Sequence, residues 1–492
     1  MLQLEDEKVD KSKKYIFVKF LLNFLQEGNI VKSRLKVFCF ILAISIATQI
    51  FGVVFAEQAS STSQQLFPIW NLQKNGTRLC GFINQSGKII IKPKYIVVYP
   101  FSDGVAWVSD TPVSSVGRTS HKWQLIDTTG KVLFENAYID KPSQFKDGVC
   151  QVETTTKVGN TSTKNKVYIN KKGTVLFKKP ATDDVGPISQ DLLLFASRDQ
   201  YGLTYSKYGF IDKNGNSVIE QKYVKASSFS EGLAAVSIYD ENGKIKAGFI
   251  DQKGNEVIKF KYDSAGDFIN GYAPIAVIND FFSVSNKGVL NIEYDFTYFN
   301  DSFPLSSAMF IRKIINTNKP IFAGSALYGF INKNGETIIE PQYTQIQYFQ
   351  EGYSAVCKND SWGFIDAKNN KLTDFVFSDA RSFKQGLAAV LVADDFGVNK
   401  WGFIDKKGEI AILPKFDEVG DFNNGLAAVK INGKWGFINS KGSYVVKPTY
   451  KMTTDFNNGL ALATYDVKAK PVDQGWAAYI NASGKVVWKS QM

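Results

Sequence analysis

At 492 residues, with 44% hydrophobic and 14% aromatic residues, the chain has ample apolar material for a core, which excludes the disordered class. Its 58 basic residues exceed its 47 acidic ones, but the lysines are spread through turns such as Asp405-Lys406-Lys407-Gly408, an arrangement that argues against a nucleic-acid-binding stripe. A single histidine, His121, and four cysteines without a C-x-x-C spacing leave no material for imidazole metal sites, repeated Cys-His pairs, thiolate zinc sites or a disulfide framework.

Residues 1–36 form a basic lead, within which Tyr15 to Leu25 is an apolar patch too short to span a bilayer. Val37 to Ala56 is a continuous apolar segment preceded by Lys32, Arg34 and Lys36, and it predicts one apolar helix. Two readings stay open: a signal peptide cut after Ala56, or an uncleaved transmembrane anchor. Either places the chain from Glu57 onward outside the cell, with the basic side in the cytoplasm. Residues 57–65 are a polar linker.

From residue 66 to 490 the chain repeats itself. Turn glycines recur at Gly87, Gly130, Gly173, Gly215, Gly254, Gly288, Gly335, Gly408, Gly442 and Gly484, with Asn369 in the same role, at intervals of 34 to 47 residues. A second glycine follows 17 residues later in most copies, as Gly232, Gly386 and Gly425, and opens a small apolar run such as Leu426-Ala427-Ala428-Val429. The distance onward to the next motif varies, so one connection is packed and the other is a surface loop that accepts insertions.

Within a copy, Trp435 to Asn439 alternates large apolar with small or polar residues and reads as a strand. Asn439-Ser440-Lys441-Gly442 is the chemistry of a three-residue hairpin turn whose glycine takes positive φ. The return strand reaches a proline (Pro93, Pro341, Pro414, Pro448), which marks a sheet edge or a stop. Phe101, Phe229, Phe268, Phe349, Phe383, Phe422 and Phe456, each three residues before its second glycine, read as plugs between neighbouring units.

Trp362-Gly363-Phe364-Ile365-Asp366, Trp401-Gly402-Phe403-Ile404-Asp405 and Trp435-Gly436-Phe437-Ile438-Asn439 resemble the motif of the WG-repeat family, bacterial repeats with Trp-Gly-Phe-Ile-Asp and a following turn glycine. Tyr208-Gly209 and Tyr328-Gly329 keep an aromatic in the first place; Cys80, Ala247 and Gln124 depart from the pattern, and it decays between Phe282 and Gly288. The resemblance implies a shared scaffold and no catalytic residues.

The expected fold is all-β: about eleven three-stranded antiparallel meanders in an open, curved, solenoid-like or propeller-like array, irregular near 281–325. Eleven units exceed the blades of an ordinary propeller, so two smaller rings are the alternative to an open array. Acids before the turn (Asp127, Asp212, Asp251, Asp366, Asp405) alternate with amides (Asn84, Asn170, Asn332, Asn439, Asn481), which fits turn capping and not acid–base catalysis. No catalytic, metal or cofactor residue is assigned, and binding residues stay unassigned. Trp70, Trp107 and Tyr272 are candidates for exposed aromatics.

The functional expectation is an exported, non-catalytic scaffold, extracellular or at the cell surface, binding a cell-envelope polymer or a protein partner, with no nucleic acid. The alternatives are a carbohydrate-active enzyme hidden in residues 112–205 or 281–325, with Asp183, Asp184 and Asp191 as its acids, and a structural spacer.

Overall fold

Each Trp-Gly segment is the third strand of an antiparallel sheet. The computed structural model describes residues 65–111, 122–136, 139–158, 161–197, 207–278, 326–393, 396–466 and 477–490, and within them ten sheets follow one another from Phe67 to Lys489. The apolar helix expected over Val37 to Ala56 lies outside these residues. Among the described residues, no helix is long and apolar enough to cross a membrane.

Blade 9 shows the unit. Its strands are Glu418–Val419, Leu426–Ile431, Lys434–Asn439 and Tyr444–Tyr450, hydrogen-bonded in that order. Val429 faces Gly436 and Ala427 faces Ile438 across the central pair. The Leu-Ala-Ala-Val strand and the Trp-Gly strand are apolar on both sides because both sides are buried between blades. Leu426, Ala428, Trp435 and Phe437 pack toward blade 10, while Ala427, Val429 and Ile438 pack toward blade 8.

The glycine of the Trp-Gly pair is dictated by crowding. A methyl group added at Gly436 would lie 2.4 Å from the Val446 carbonyl oxygen and 2.7 Å from the Pro448 nitrogen. The fourth strand bulges over that glycine, with Phe437 opposite Val446 and Trp435 opposite Tyr450. It is a free edge, as its proline requires, yet it does not stop there, and continues past Pro448 to Tyr450.

The phenylalanines expected as plugs pack on the motif phenylalanine of the preceding blade. Phe210–Phe229, Phe249–Phe268, Phe330–Phe349, Phe403–Phe422 and Phe437–Phe456 have ring centroids 4.7 to 5.0 Å apart. Edge-to-face and tilted pairs of this kind add about 0.5–1.5 kcal/mol each beyond the area they bury.

Three expectations are corrected. The units have four strands, not three, because a two-residue strand such as Lys225–Ala226 or Asp379–Ala380 pairs with the free side of the small apolar run; among the described residues, blades 1 and 7 have three. There are ten units, not eleven: Gly288 lies outside the described residues, between strands Tyr272–Ile278 and Ala326–Asn332, which pair directly with each other. The stretch that holds it is an insertion in blade 6.

The third correction is closure. The array is neither open nor two rings but one ten-bladed β-propeller. Phe67 and Ile69 of blade 1 share a core with Leu460 and Tyr479 of blade 10. Phe67 meets Tyr479 at 5.6 Å and Trp70 meets Trp488 at 5.4 Å. The Tyr479 hydroxyl donates to the Pro68 carbonyl, and the Gln85 amide donates to the Asn458 carbonyl at 2.6 Å. Closure works at this blade number because the last blade offers blade 1 the same apolar side that every other blade offers its neighbour.

Candidate functional site

Successive antiparallel strands put their connections at alternate ends, so the ring has two faces. On one face lie the tight turn before each second strand and the turn after each third strand. In blade 5, Glu231-Gly232 has φ of 52° and 93°, and the flanking amides and carbonyls of Ser230 and Leu233 bond each other. Positive φ at both central residues is the hairpin turn whose twist matches the strands.

In five blades the residue before the glycine caps the same turn of the next blade. Glu231 accepts from the Gly271 amide at 3.0 Å, Glu351 from the Gln385 and Gly386 amides, Gln385 from Gly425, Asn424 from Gly459 and Asp103 from Gly148. Lys333 and Lys406 pair with Glu231 and Glu351 at 2.9 and 3.0 Å. Partial burial opposes charge on both glutamates, but the lysine and the turn amides outweigh it and hold them below the ordinary carboxylate range. The signal in sequence was a polar residue before each second glycine, read only as a turn.

The recurring acids and amides before the third-strand turn are caps. Asp405 Oδ1 accepts from the Lys407 and Glu409 amides, and Asn439 Oδ1 accepts from those of Lys441 and Ser443. An acceptor oxygen is all the turn needs, so aspartate and asparagine interchange. The same bonds are made at Asp127, Asp212, Asp251 and Asp366.

Asp191 also turns out to be a turn residue. Gln190-Asp191, with φ of 51° and 66°, occupies in blade 4 the place of the residue and second glycine of other blades. Asp183 and Asp184 stand at the far end of the strand Asp184–Ser189 that leads into this turn. The three candidate acids therefore do not converge. His121 lies outside the described residues.

Trp70 and Trp107, expected as exposed, are 8% and 1% accessible, and Tyr272 packs on Phe349 at 4.8 Å. Motif residues Trp401 and Trp435 are buried with Arg381 and Lys430 over their rings at 4.8 and 5.6 Å, so neither ring is open to stacking. Cys80, Cys150 and Cys357 are buried thiols outside any disulfide, and burial pushes that of Cys150 up to about 11 against its hydrogen bonding with Ser143.

The opposite face carries the connections between second and third strands, and the length variation of more than one residue is there. Asn432-Gly433 and Asn359-Asp360 are minimal turns, whereas residues 110–122, 197–207, 279–325, 394–398 and 465–476 are longer connections at the same place in their blades. In blade 3 the strands Val149–Val158 and Thr161–Asn170 extend the hairpin itself. Tyr239 and Phe396 stand exposed at this end.

Among solved structures the fold is similar to a eukaryotic initiation factor (9% identity, 77% of this chain and 95% of that one, TM-score 0.43). It is also similar to apo AztD from Citrobacter koseri (12%, 77% and 93%, 0.27) and to the β-propeller domain of the Trilobed protease from Pyrococcus furiosus (10%, 72% and 99%, 0.27). No curated protein matches the sequence. Residues 81–110, 208–245, 248–277, 328–361, 362–394, 401–435 and 435–466 match the family described as WG containing repeat. Seven matches spread from blade 1 to blade 10, each holding a Trp-Gly strand or its equivalent, make this chain a member of the WG-repeat family.

Proposed function

We propose that the protein is an exported, non-catalytic scaffold that binds a cell-envelope polymer or a protein partner through the variable face of the ring. One observation carries the reading: among the described blades all but single-residue length variation falls in the connections between second and third strands, while the other face is tied turn to turn by side chains. A rigid ring with loops of different length and composition on one face is the arrangement by which weak contacts add up through multivalency. Loops on a packed scaffold can change without cost to the fold.

Retention of the purified protein on isolated cell wall tests the proposal. Replacing residues 394–398, or the blade 6 insertion 279–325, by a two-residue turn like Asn432-Gly433 is expected to lower retention and leave the thermal midpoint in place. A protein that stays off the wall at low salt, or binds equally well without these loops, overturns it.

A further inference from the structure

The outer segments that follow the Trp-Gly strands or their equivalents carry a charge pattern that only the closed ring reveals. Five residues past the turn glycine (Asn369 in blade 7), blades 1 to 7 read Lys92, Glu135, Lys178, Glu220, Lys259, Glu340 and Asp374, so every lysine has an acid in the next blade. Blade 8 has Leu413, and then Lys447 and Lys489 follow in blades 9 and 10. Because blade 10 packs on blade 1, Lys92 comes next, and three lysines occupy equivalent positions on consecutive blades. Lys415 and Lys94, two residues further along their strands, extend the run at both ends.

These cations are available. All five lysines are exposed, and among the described residues none has a carboxylate within ion-pair distance. The outermost strands of these four blades, Ile410–Phe416, Tyr444–Tyr450, Val486–Lys489 and Ile89–Tyr95, contain no acidic residue. Neighbouring acids are engaged elsewhere: Asp417 with Lys400 and Glu418 with Lys430, both at 2.5 Å, Asp421 with Lys384 at 3.2 Å and Asp466 with Lys434 at 3.4 Å. Glu409, beside the blade 8 turn, is the exposed acid adjoining the run.

We propose that this arc, over blades 8, 9, 10 and 1, binds a linear phosphate-bearing polymer of the cell envelope; the inference rests on the envelope-binding reading above, names its ligand class and adds the outer strands to the variable face as a binding surface. Lysines offer point charges along a line, which suits one singly charged phosphate after another, and there is no arginine among them to fork a planar carboxylate. Nucleic acid is the poorer fit: Tyr95, Phe416 and Tyr450 beside these lysines are buried, and the one exposed ring, Tyr444, lies under Lys415 at 6.0 Å, so successive bases find no row of faces to stack on.

The test uses the full chain with inorganic polyphosphate as probe, and hyaluronan and duplex DNA as rivals. The triple variant Lys92→Glu, Lys447→Glu, Lys489→Glu is expected to lose at least about tenfold in polyphosphate affinity and to flatten its salt dependence. The triple Lys213→Glu, Lys253→Glu, Lys368→Glu, with the same charge change on exposed turn lysines, is expected to lose under about threefold. Equal losses in the two triples, no loss in the first while its thermal midpoint matches the parent, or tighter binding of hyaluronan or DNA than of polyphosphate, overturns the assignment. Parent protein on isolated wall in the same assay separates the two ideas. Wall retention unaffected by the first triple sinks only the lysine arc, and polyphosphate binding without wall retention sinks only the envelope reading.

Discussion

The Tyr479 hydroxyl donates a hydrogen bond to the Pro68 carbonyl at 3.0 Å, joining residues 411 apart in the chain. In blade 5 the equivalent carbonyl, that of Ala235, is bonded by the Ser227 amide at the start of the blade. At the seam, a tyrosine side chain from the last blade does that job.

Tyr479→Phe is therefore expected to cost about 1 kcal/mol, the net worth of one buried hydrogen bond plus an orphaned carbonyl. Trp488→Ala removes the ring that packs on both Trp70 and Tyr479 and is expected to cost about 3–5 kcal/mol. Urea unfolding measures both, and small-angle scattering near the Trp488→Ala midpoint is expected to show an expanded, opened ring.

Two glycines of blade 9 separate crowding from backbone strain. Gly425→Ala meets no atom within 4 Å but sits at φ of 78°, so a loss of about 1 kcal/mol is expected. Gly436→Ala drives a methyl into the Val446 carbonyl and is expected to cost several times as much. Similar midpoints for the two variants in denaturant titrations contradict this account.

Phe437→Ala leaves a hole facing Phe456 between blades 9 and 10 and is expected to cost about 3–5 kcal/mol. Because blades touch only their neighbours, hydrogen exchange is expected to quicken in blades 9 and 10 first and in blade 4 last.

Acid weakens the turn-to-turn relay in a defined direction. Folding depresses Glu231 and Glu351 below the ordinary value of 4.5, so their contribution is present above that value and lost as pH falls through the lower, folded one. The double variant Glu231→Gln, Glu351→Gln keeps an acceptor at each turn and is expected to show a shallower fall in thermal midpoint below pH 5 than the parent.

Thiol reagents give a check that needs no variant. With its thiol at about 11 and buried, Cys150 is expected to stay unmodified by a disulfide reagent at pH 8 until denaturant is added.

The repeating unit was legible because its constraints are local. The turn glycine at Gly442, the cap at Asn439 and the plug at Phe456 each follow from backbone geometry or a fixed offset. The two-residue strand Glu418–Val419 was not legible, since two residues show no periodicity. Closure was not legible either: Phe67 and Tyr479 look like ordinary apolar residues until the intervening blades bring them together. Gly288 misled because it falls 34 residues after Gly254, the shortest repeat length, inside what is an insertion. The relay from Glu231 to Gly271 escaped notice because a polar residue before a glycine already explains itself as a turn.

The pairing of Ile278 with Ala326 and of Tyr272 with Asn332 holds in unbroken register, although 47 residues separate the two strands. The blade that carries the longest excursion is thus framed like those with minimal turns. Tolerance of that size at one hairpin makes the ring a chassis: a foreign domain whose ends lie a strand spacing apart could be spliced between Ile278 and Ala326, and nine such ports remain around the same rim.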